Sequence, residues 1–175
     1  EGIVYGLTNL NAQWCRALGR VLVHNNIKSD LLGRVEERLA HLSLGDSLCE
    51  SSEMGPMIHK AQYDSVSWAI EDLLRKGGTL IAPTSLPVLP ELPGYFIAPT
   101  LIDGCDPKDT QDEIFGPAAA IHGFDTEAEA LALANGTPFG LAAYVYSSNE
   151  EAAFAFGRQL RTGGVKINGY SLLSL

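Results

Sequence analysis

Short apolar runs alternate with longer amphipathic segments along the whole 175-residue chain. This alternation restricts the fold more than any single motif does. Val21-Leu22-Val23 and Ala142-Ala143-Tyr144-Val145 are apolar on successive residues, as strands buried on both faces are. Between such runs, Leu31, Val35, Leu39 and Leu42 fall on one helical stripe, and Val66, Ile70, Leu73 and Leu74 on another. The pattern predicts strands at 20–24, 79–82, 118–124, 141–147 and 165–168. Residues 95–102 look extended, with an interruption at Pro99. Helices are predicted at 28–42, 58–76, 126–134 and 148–160. Residues 1–7 suit the end of a helix, and residues 106–112 one helical turn. Strands and helices in alternation build a mostly parallel sheet covered on both faces, a three-layer α/β sandwich.

The punctuation agrees with this reading. Ser29 or Asp30 can cap the helix at 28–42, with Gly45 as its stop. Thr126 with Glu129, and Ser148 with Glu151, have capping-box spacing. Gly77-Gly78 and Gly163-Gly164 read as helix stops, and residues 51–56 as a loop. Residues 83–94 hold four prolines and no periodicity, which makes them a loop. The strand and helix pattern continues across that loop, so residues 1–175 read as a single domain. Apolar residues at both raw ends suggest a piece of a larger protein.

Composition excludes several classes. A net charge of −9 argues against a nucleic-acid surface, and no apolar run approaches the length of a membrane span. No signal peptide is visible. Cys15, Cys49 and Cys105 are widely spaced and offer no zinc spacing or even disulfide set, which points to a reducing, cytoplasmic setting.

Few residues can carry chemistry. Cys15 sits between a small-residue turn and an apolar strand, where a substrate can reach a thiol that the sheet holds still. The same position suits a small buried hydrophobe. In Glu113-Ile114-Phe115-Gly116-Pro117, a carboxylate and an aromatic ring precede a Gly-Pro corner. They could bind a sugar hydroxyl and flank a flat ring; equally, they could be a solvated Glu and a core Phe at a helix end. Met54-Gly55-Pro56-Met57 is a rigid turn with no chemical group. Asn168 could bond a neighbouring loop or touch a ligand. His24, His41, His59 and His122 are scattered and read as surface or strand-end residues. No dinucleotide glycine fingerprint, phosphate loop or metal cluster is present.

Taken together, these segments resemble the catalytic domain of the NAD(P)-dependent aldehyde dehydrogenase superfamily. The match runs in order through Gln13-Trp14-Cys15, Arg20-Val21-Leu22-Val23-His24, Leu44-Gly45-Asp46, Met54-Gly55-Pro56 and Gly94-Tyr95-Phe96 with Pro99-Thr100-Leu101. It continues through Glu113-Ile114-Phe115-Gly116-Pro117, Ala134-Asn135, Gly140-Leu141-Ala142-Ala143 and Gly164-Val165-Lys166-Ile167-Asn168. Each motif is weak alone; the ordered set is specific.

The resemblance implies that Cys15 attacks an aldehyde to give a thiohemiacetal, which loses hydride to a nicotinamide and leaves a thioester. Water then releases the acid. The Cys15 backbone N–H would hold the oxyanion. Glu113 matches a glutamate that binds the nicotinamide ribose, and Phe115 an aromatic residue beside the nicotinamide. Asn168 matches an asparagine near the substrate, and Gln13 shapes the loop. The cofactor is NAD or NADP, held mainly by a domain outside this chain. The partners are a small aldehyde and, for the whole enzyme, further copies in a homo-oligomer.

The sequence departs from the family pattern in three respects. Ala12 stands where the family usually has Gly. Arg16 follows the nucleophile where small or apolar residues are commoner; its charge could lower the thiol pKa, or it could point to solvent. The general-base Glu, the Asn that completes the oxyanion hole and the closing C-terminal segment lie outside these 175 residues. The isolated chain is therefore expected to be inactive. A catalytically silent structural relative, or one that acylates coenzyme A or reduces an acyl phosphate, would carry the same motifs.

Overall fold

The computed structural model describes residues 1–81 and 93–170. Helix α1 (Gly2–Thr8) leads through a 3-10 turn (Asn9–Ala12) and a short loop into β1 (Arg20–His24). Helices α2 (Asn25–Ala40) and α3 (Lys60–Arg75) follow, then β2 (Thr79–Ile81), β3 (Thr100–Asp103) and β4 (Ala118–Phe124). Helix α4 (Glu127–Asn135), β5 (Ala143–Val145), α5 (Glu150–Gly157) and β6 (Val165–Ile167) complete the order. The loop expected at 83–94 lies outside the described residues except for Pro93 and Gly94.

The main sheet runs β1-β4-β3-β2. Strands β1 and β3 flank β4 in parallel, with Arg20 opposite Ala120 and Thr100 opposite Ala118. At the edge, β2 is antiparallel to β3. The last two strands do not join this sheet: β5 and β6 pair in parallel as a separate ribbon. Sequence periodicity marks strands but not their partners, so it suggested one sheet.

The two faces of the main sheet carry different helices. Val21, Val23, Leu101, Ala119 and Ile121 pack with Val4 and Leu7 of α1 and Val35 and Leu39 of α2. On the other face Ile102 and Cys105 pack against Leu73 of α3. Helix α4 shares that side, where Arg20 donates to the carbonyls of Leu133 and Ala134 at 2.9 and 3.1 Å. A cation there complements the C-terminal end of the helix dipole. The result is the expected three-layer arrangement. The small Ala118-Ala119-Ala120 run of the central strand is fully buried between the layers.

Several ends differ from the sequence expectations. Helix α2 begins at Asn25, straight off the strand, because the Asn26 N–H donates to His24 Nδ1 at 3.2 Å. Ser29 and Asp30 therefore lie inside the helix rather than capping it. Helix α2 ends at Ala40, and Gly45 instead donates its N–H to Met54 O at 3.0 Å, beside the Leu44–Met54 bridge. Helix α3 is capped by His59, whose Nδ1 accepts from the Gln62 N–H at 3.0 Å. Its stop is as expected: Gly77 has φ +100°, and Gly78 N–H reaches Leu73 O at 3.0 Å.

The Thr126–Glu129 capping box is formed in full. The Ser148–Glu151 box is not, because Asn149 takes the cap and accepts from the Ala152 N–H at 3.1 Å. Helix α5 stops at Gly157, short of the Gly163-Gly164 pair, and Gly163 N–H donates to Gly140 O at 2.8 Å. No helix among the described residues is long and apolar enough to cross a membrane.

Candidate active site

The chain before Cys15 is bent into an unusual shape. Leu10, Asn11 and Ala12 have φ of +51°, +54° and +54°. Left-handed backbone costs about 1–2 kcal/mol for each residue with a Cβ, so the run needs outside support. Asn11 provides some: its Oδ1 accepts from the Gly55 N–H at 2.8 Å, and its Nδ2 donates to Pro56 O at 3.1 Å. Gln13 adds a third tie, with Oε1 accepting from the Ile58 N–H at 2.9 Å. Asn11 thus ties the loop to the Met54-Gly55-Pro56 turn, and Gln13 ties it to Ile58 just beyond that turn. A Cβ at Gly55 would meet the Ser47 hydroxyl, which would have to turn aside, and would come within 3.3 Å of Asn11 Nδ2.

Beyond the left-handed run, Ala17 N–H donates to Trp14 O at 3.0 Å and closes a turn with Cys15 and Arg16 at its centre. Cys15 is exposed, as a thiol that meets a substrate must be. Trp14 stands edge-on to Tyr5, ring centres 6.4 Å apart, and Tyr5 stacks at a tilt on Tyr170 at 5.0 Å. This row of rings joins the Cys15 turn to the chain just beyond β6.

Glu113 and Phe115 lie on a loop held against the start of α3. Glu113 is exposed and makes no hydrogen bond to a described residue. Phe115, with φ +55°, is 43% exposed, so it is not the core residue that spacing allowed. Its carbonyl accepts from Gln62 Nε2 at 2.8 Å. Gly116 packs so tightly on α3 that a Cβ would sit 2.5 Å from Val66 Cγ2. Gln13 and Phe115 each bond the chain at the start of α3. They are held four residues apart on the same segment, at Ile58 and Gln62.

Asn168 leaves β6 with φ +48°. Its side chain accepts from the Ser147 N–H at 2.9 Å and donates to Ser147 O at 3.0 Å, so both ends of the amide bond the neighbouring loop. Tyr144 of β5 lies within electrostatic range of Cys15 and Arg16. Burial pushes its phenol up, Arg16 opposes this, and Tyr5 and Cys15 add to it.

The remaining candidates serve structure. His24 and His59 cap helices. His122, read as a surface or strand-end residue, is buried and shares a 2.9 Å hydrogen bond with Thr110 Oγ1. Cys105 is buried under α3, and burial pushes its thiol up. His41 and Cys49 line a shallow 530 Å³ cavity at the end of α2, formed by residues 40–52 alone. Cys49 is exposed, and its hydrogen bond with Ser51 pulls its thiol down. Among the described residues no group of three His, Cys, Asp or Glu side chains could hold a metal.

Sequence reasoning missed Asn11, which carries most of the ties of the Cys15 loop. An Asn just before the expected thiol was the available signal, since Asn tolerates left-handed backbone better than most residues. Tyr144 was counted only as part of a strand.

Known proteins with this architecture are numerous. The aldehyde dehydrogenase family matches residues 1–174. A betaine aldehyde dehydrogenase of Sinorhizobium fredii is 35% identical over 173 residues, covering 98% of this chain and 36% of that protein. The aldehyde dehydrogenase citD of Monascus ruber is 36% identical over 159 residues, 89% of this chain and 32% of that protein. Among solved structures, betaine aldehyde dehydrogenase of Staphylococcus aureus in complex with NAD+ superposes with a TM-score of 0.88 at 30% identity. It covers 97% of this chain and 34% of its own. An aldehyde dehydrogenase of Bartonella henselae gives 0.87 at 30%, with 97% and 37% covered. The chain spans about a third of the length of these relatives. On the match over nearly its whole length, the chain belongs to the aldehyde dehydrogenase family.

Proposed function

We propose that this chain is the nucleophile-bearing catalytic domain of an NAD(P)-dependent aldehyde dehydrogenase, which oxidises a small aldehyde to its carboxylic acid through Cys15. The observation that carries this reading is the exposed Cys15 at the tip of a turn whose base is tied down by Asn11 and Gln13. A fixed, reachable thiol lets the thiolate attack the carbonyl carbon with little loss of orientational freedom. The Cys15 backbone N–H donates to the oxygen that gains charge. Asn168 lies on the substrate side and orders the loop at Ser147.

Glu113 and Phe115 fit a nicotinamide nucleotide. The carboxylate of Glu113 has no competing partner among the described residues and can accept from ribose hydroxyls. The exposed ring of Phe115 can flank the nicotinamide. When bound, the nicotinamide supplies the hydride acceptor that turns a thiohemiacetal into a thioester. The base that activates water, and most of the nucleotide site, belong to parts of the enzyme outside these residues. Three free cysteines agree with a cytoplasmic location, and the whole enzyme is a homo-oligomer in this reading.

Two measurements test the proposal. In the enzyme that contains this chain, Cys15→Ser abolishes aldehyde-dependent NAD(P) reduction; retained activity would remove Cys15 from the mechanism. The purified 175-residue chain shows negligible turnover, and robust turnover would show that the cofactor site is complete without further segments.

A further inference from the structure

The position after the nucleophile holds a cation that the mechanism does not use. Cys15 and Arg16 are the two central residues of the Trp14–Ala17 turn, so their Cα atoms are about 3.8 Å apart and both side chains leave the same tip. Arg16 is partly buried. Among the described residues it makes no ion pair or side-chain hydrogen bond. Arg34, Arg158 and Arg161, which also lack ion pairs among the described residues, are exposed. Arg20, partly buried like Arg16, is satisfied by two carbonyls. Arg16 therefore stands apart, a partly desolvated guanidinium with unmatched donors beside the reacting thiol. A guanidinium presents five N–H donors in a planar fork that fits a carboxylate. The phenol of Tyr144 is electrically coupled to both Arg16 and Cys15 and carries a further O–H donor. The nearest carboxylate along the ring row is Glu1, and it accepts from the Tyr170 hydroxyl at 3.3 Å.

We propose that Arg16 selects the substrate by charge: the aldehyde oxidised at Cys15 carries an anionic group such as a carboxylate. This rests on the reading of Cys15 as the nucleophile. Betaine aldehyde, in the name of several relatives, carries a quaternary ammonium; next to Arg16 that charge is repelled. Specificity here arises as much from repelling the wrong charge as from attracting the right one.

The test uses the chain itself with Cys49→Ser, so that Cys15 is its exposed thiol among the described cysteines. Cys15 is labelled with three methanethiosulfonates, one with an anionic sulfonate, one with a trimethylammonium and one neutral. Any change in the thiolate fraction at Cys15 affects all three rates alike and cancels in the anion-to-cation ratio. The expected ratio falls about tenfold in Arg16→Gln, stays near the parent value in Arg16→Lys, and shrinks with added salt in the parent chain. A ratio unchanged within twofold in Arg16→Gln, or insensitive to salt, would overturn the proposal. The rate with the neutral reagent reports separately on Cys15: a rate no faster than a model thiol counts against the nucleophile reading without altering the ratio.

Discussion

Replacing Gly116 with alanine tests how the loop carrying Glu113 and Phe115 is positioned. The added Cβ would meet Val66 Cγ2 at 2.5 Å, Cγ1 at 2.8 Å and Cβ at 3.2 Å. Val66 is fully buried in the cluster with Met57 and Ile97, and a β-branched side chain in a helix has one strongly preferred rotamer. The helix and the loop must therefore part. Overpacking of this kind costs about 1–3 kcal/mol. The movement also strains the 2.8 Å bond from Gln62 Nε2 to Phe115 O, worth about 1 kcal/mol. Gly116→Ala should thus lose about 2–4 kcal/mol in urea unfolding, with m unchanged. Val66→Ala removes buried methyl groups and alone costs about 2 kcal/mol. In the double variant the new methyl enters the vacated space, so the combined loss falls short of the sum by about 1–3 kcal/mol. A single variant within about 0.5 kcal/mol of the parent, or a strictly additive double variant, would refute the close-approach argument.

Asn11→Ala leaves the buried Gly55 N–H without its acceptor and puts a less tolerant residue at φ +54°, for a loss of about 2–3 kcal/mol. Gly55 amide exchange should speed up in that variant and stay slow in Asn11→Asp, which keeps the acceptor; unchanged exchange in Asn11→Ala would show the tie to be idle. Burial, then the charge of Arg20 and to a lesser extent Lys28, holds His122 below its ordinary pKa against the weaker opposite pull of Asp103 and Asp106. Below about pH 6.5 the unfolded chain takes up a proton at His122 that the folded chain refuses, so this residue's stabilisation is complete above that value and is lost as pH falls. His122→Gln should lose less stability than the parent between pH 7 and pH 5, measured by urea unfolding at each pH. Equal losses would mean that other groups set the acid limb.

The elements legible in the sequence are those whose signal is local. The stripes Val35–Leu39 and Val66–Leu73 face the core as their spacing requires. The Thr126–Glu129 box forms because both partners lie within one turn. Where two local signals compete, spacing alone does not decide: Asn149 displaces Ser148 as the cap although the Ser148–Glu151 spacing is correct. His24 and His59 were illegible as caps because imidazole is not among the preferred cap side chains, yet each offers an Nδ1 acceptor in the right place. Pairing of β5 with β6 away from the main sheet depends on packing that no window of sequence contains.

The candidate site follows the same rule. Cys15 was legible as an exposed thiol at a loop end, but what holds it was not, since Asn11 and Gln13 bond residues 44 and 45 positions away. The left-handed run at 10–12 cannot hold itself, so the support has to come from elsewhere in the chain. It comes from residues 55–58, which continue directly into α3 through the His59 cap. On the first turn of α3, Gln62 holds the carbonyl of Phe115, and on the next Val66 seats Gly116. One short segment thus supports both the thiol and the loop proposed to bind the ribose. The distance between the two is therefore set by the start of α3 rather than by either loop. Changes within residues 55–66 should disturb thiol and ribose loop together, whereas changes on α5, whose Gly157 packs on Val165 and Ile167 of β6, should leave their relation intact.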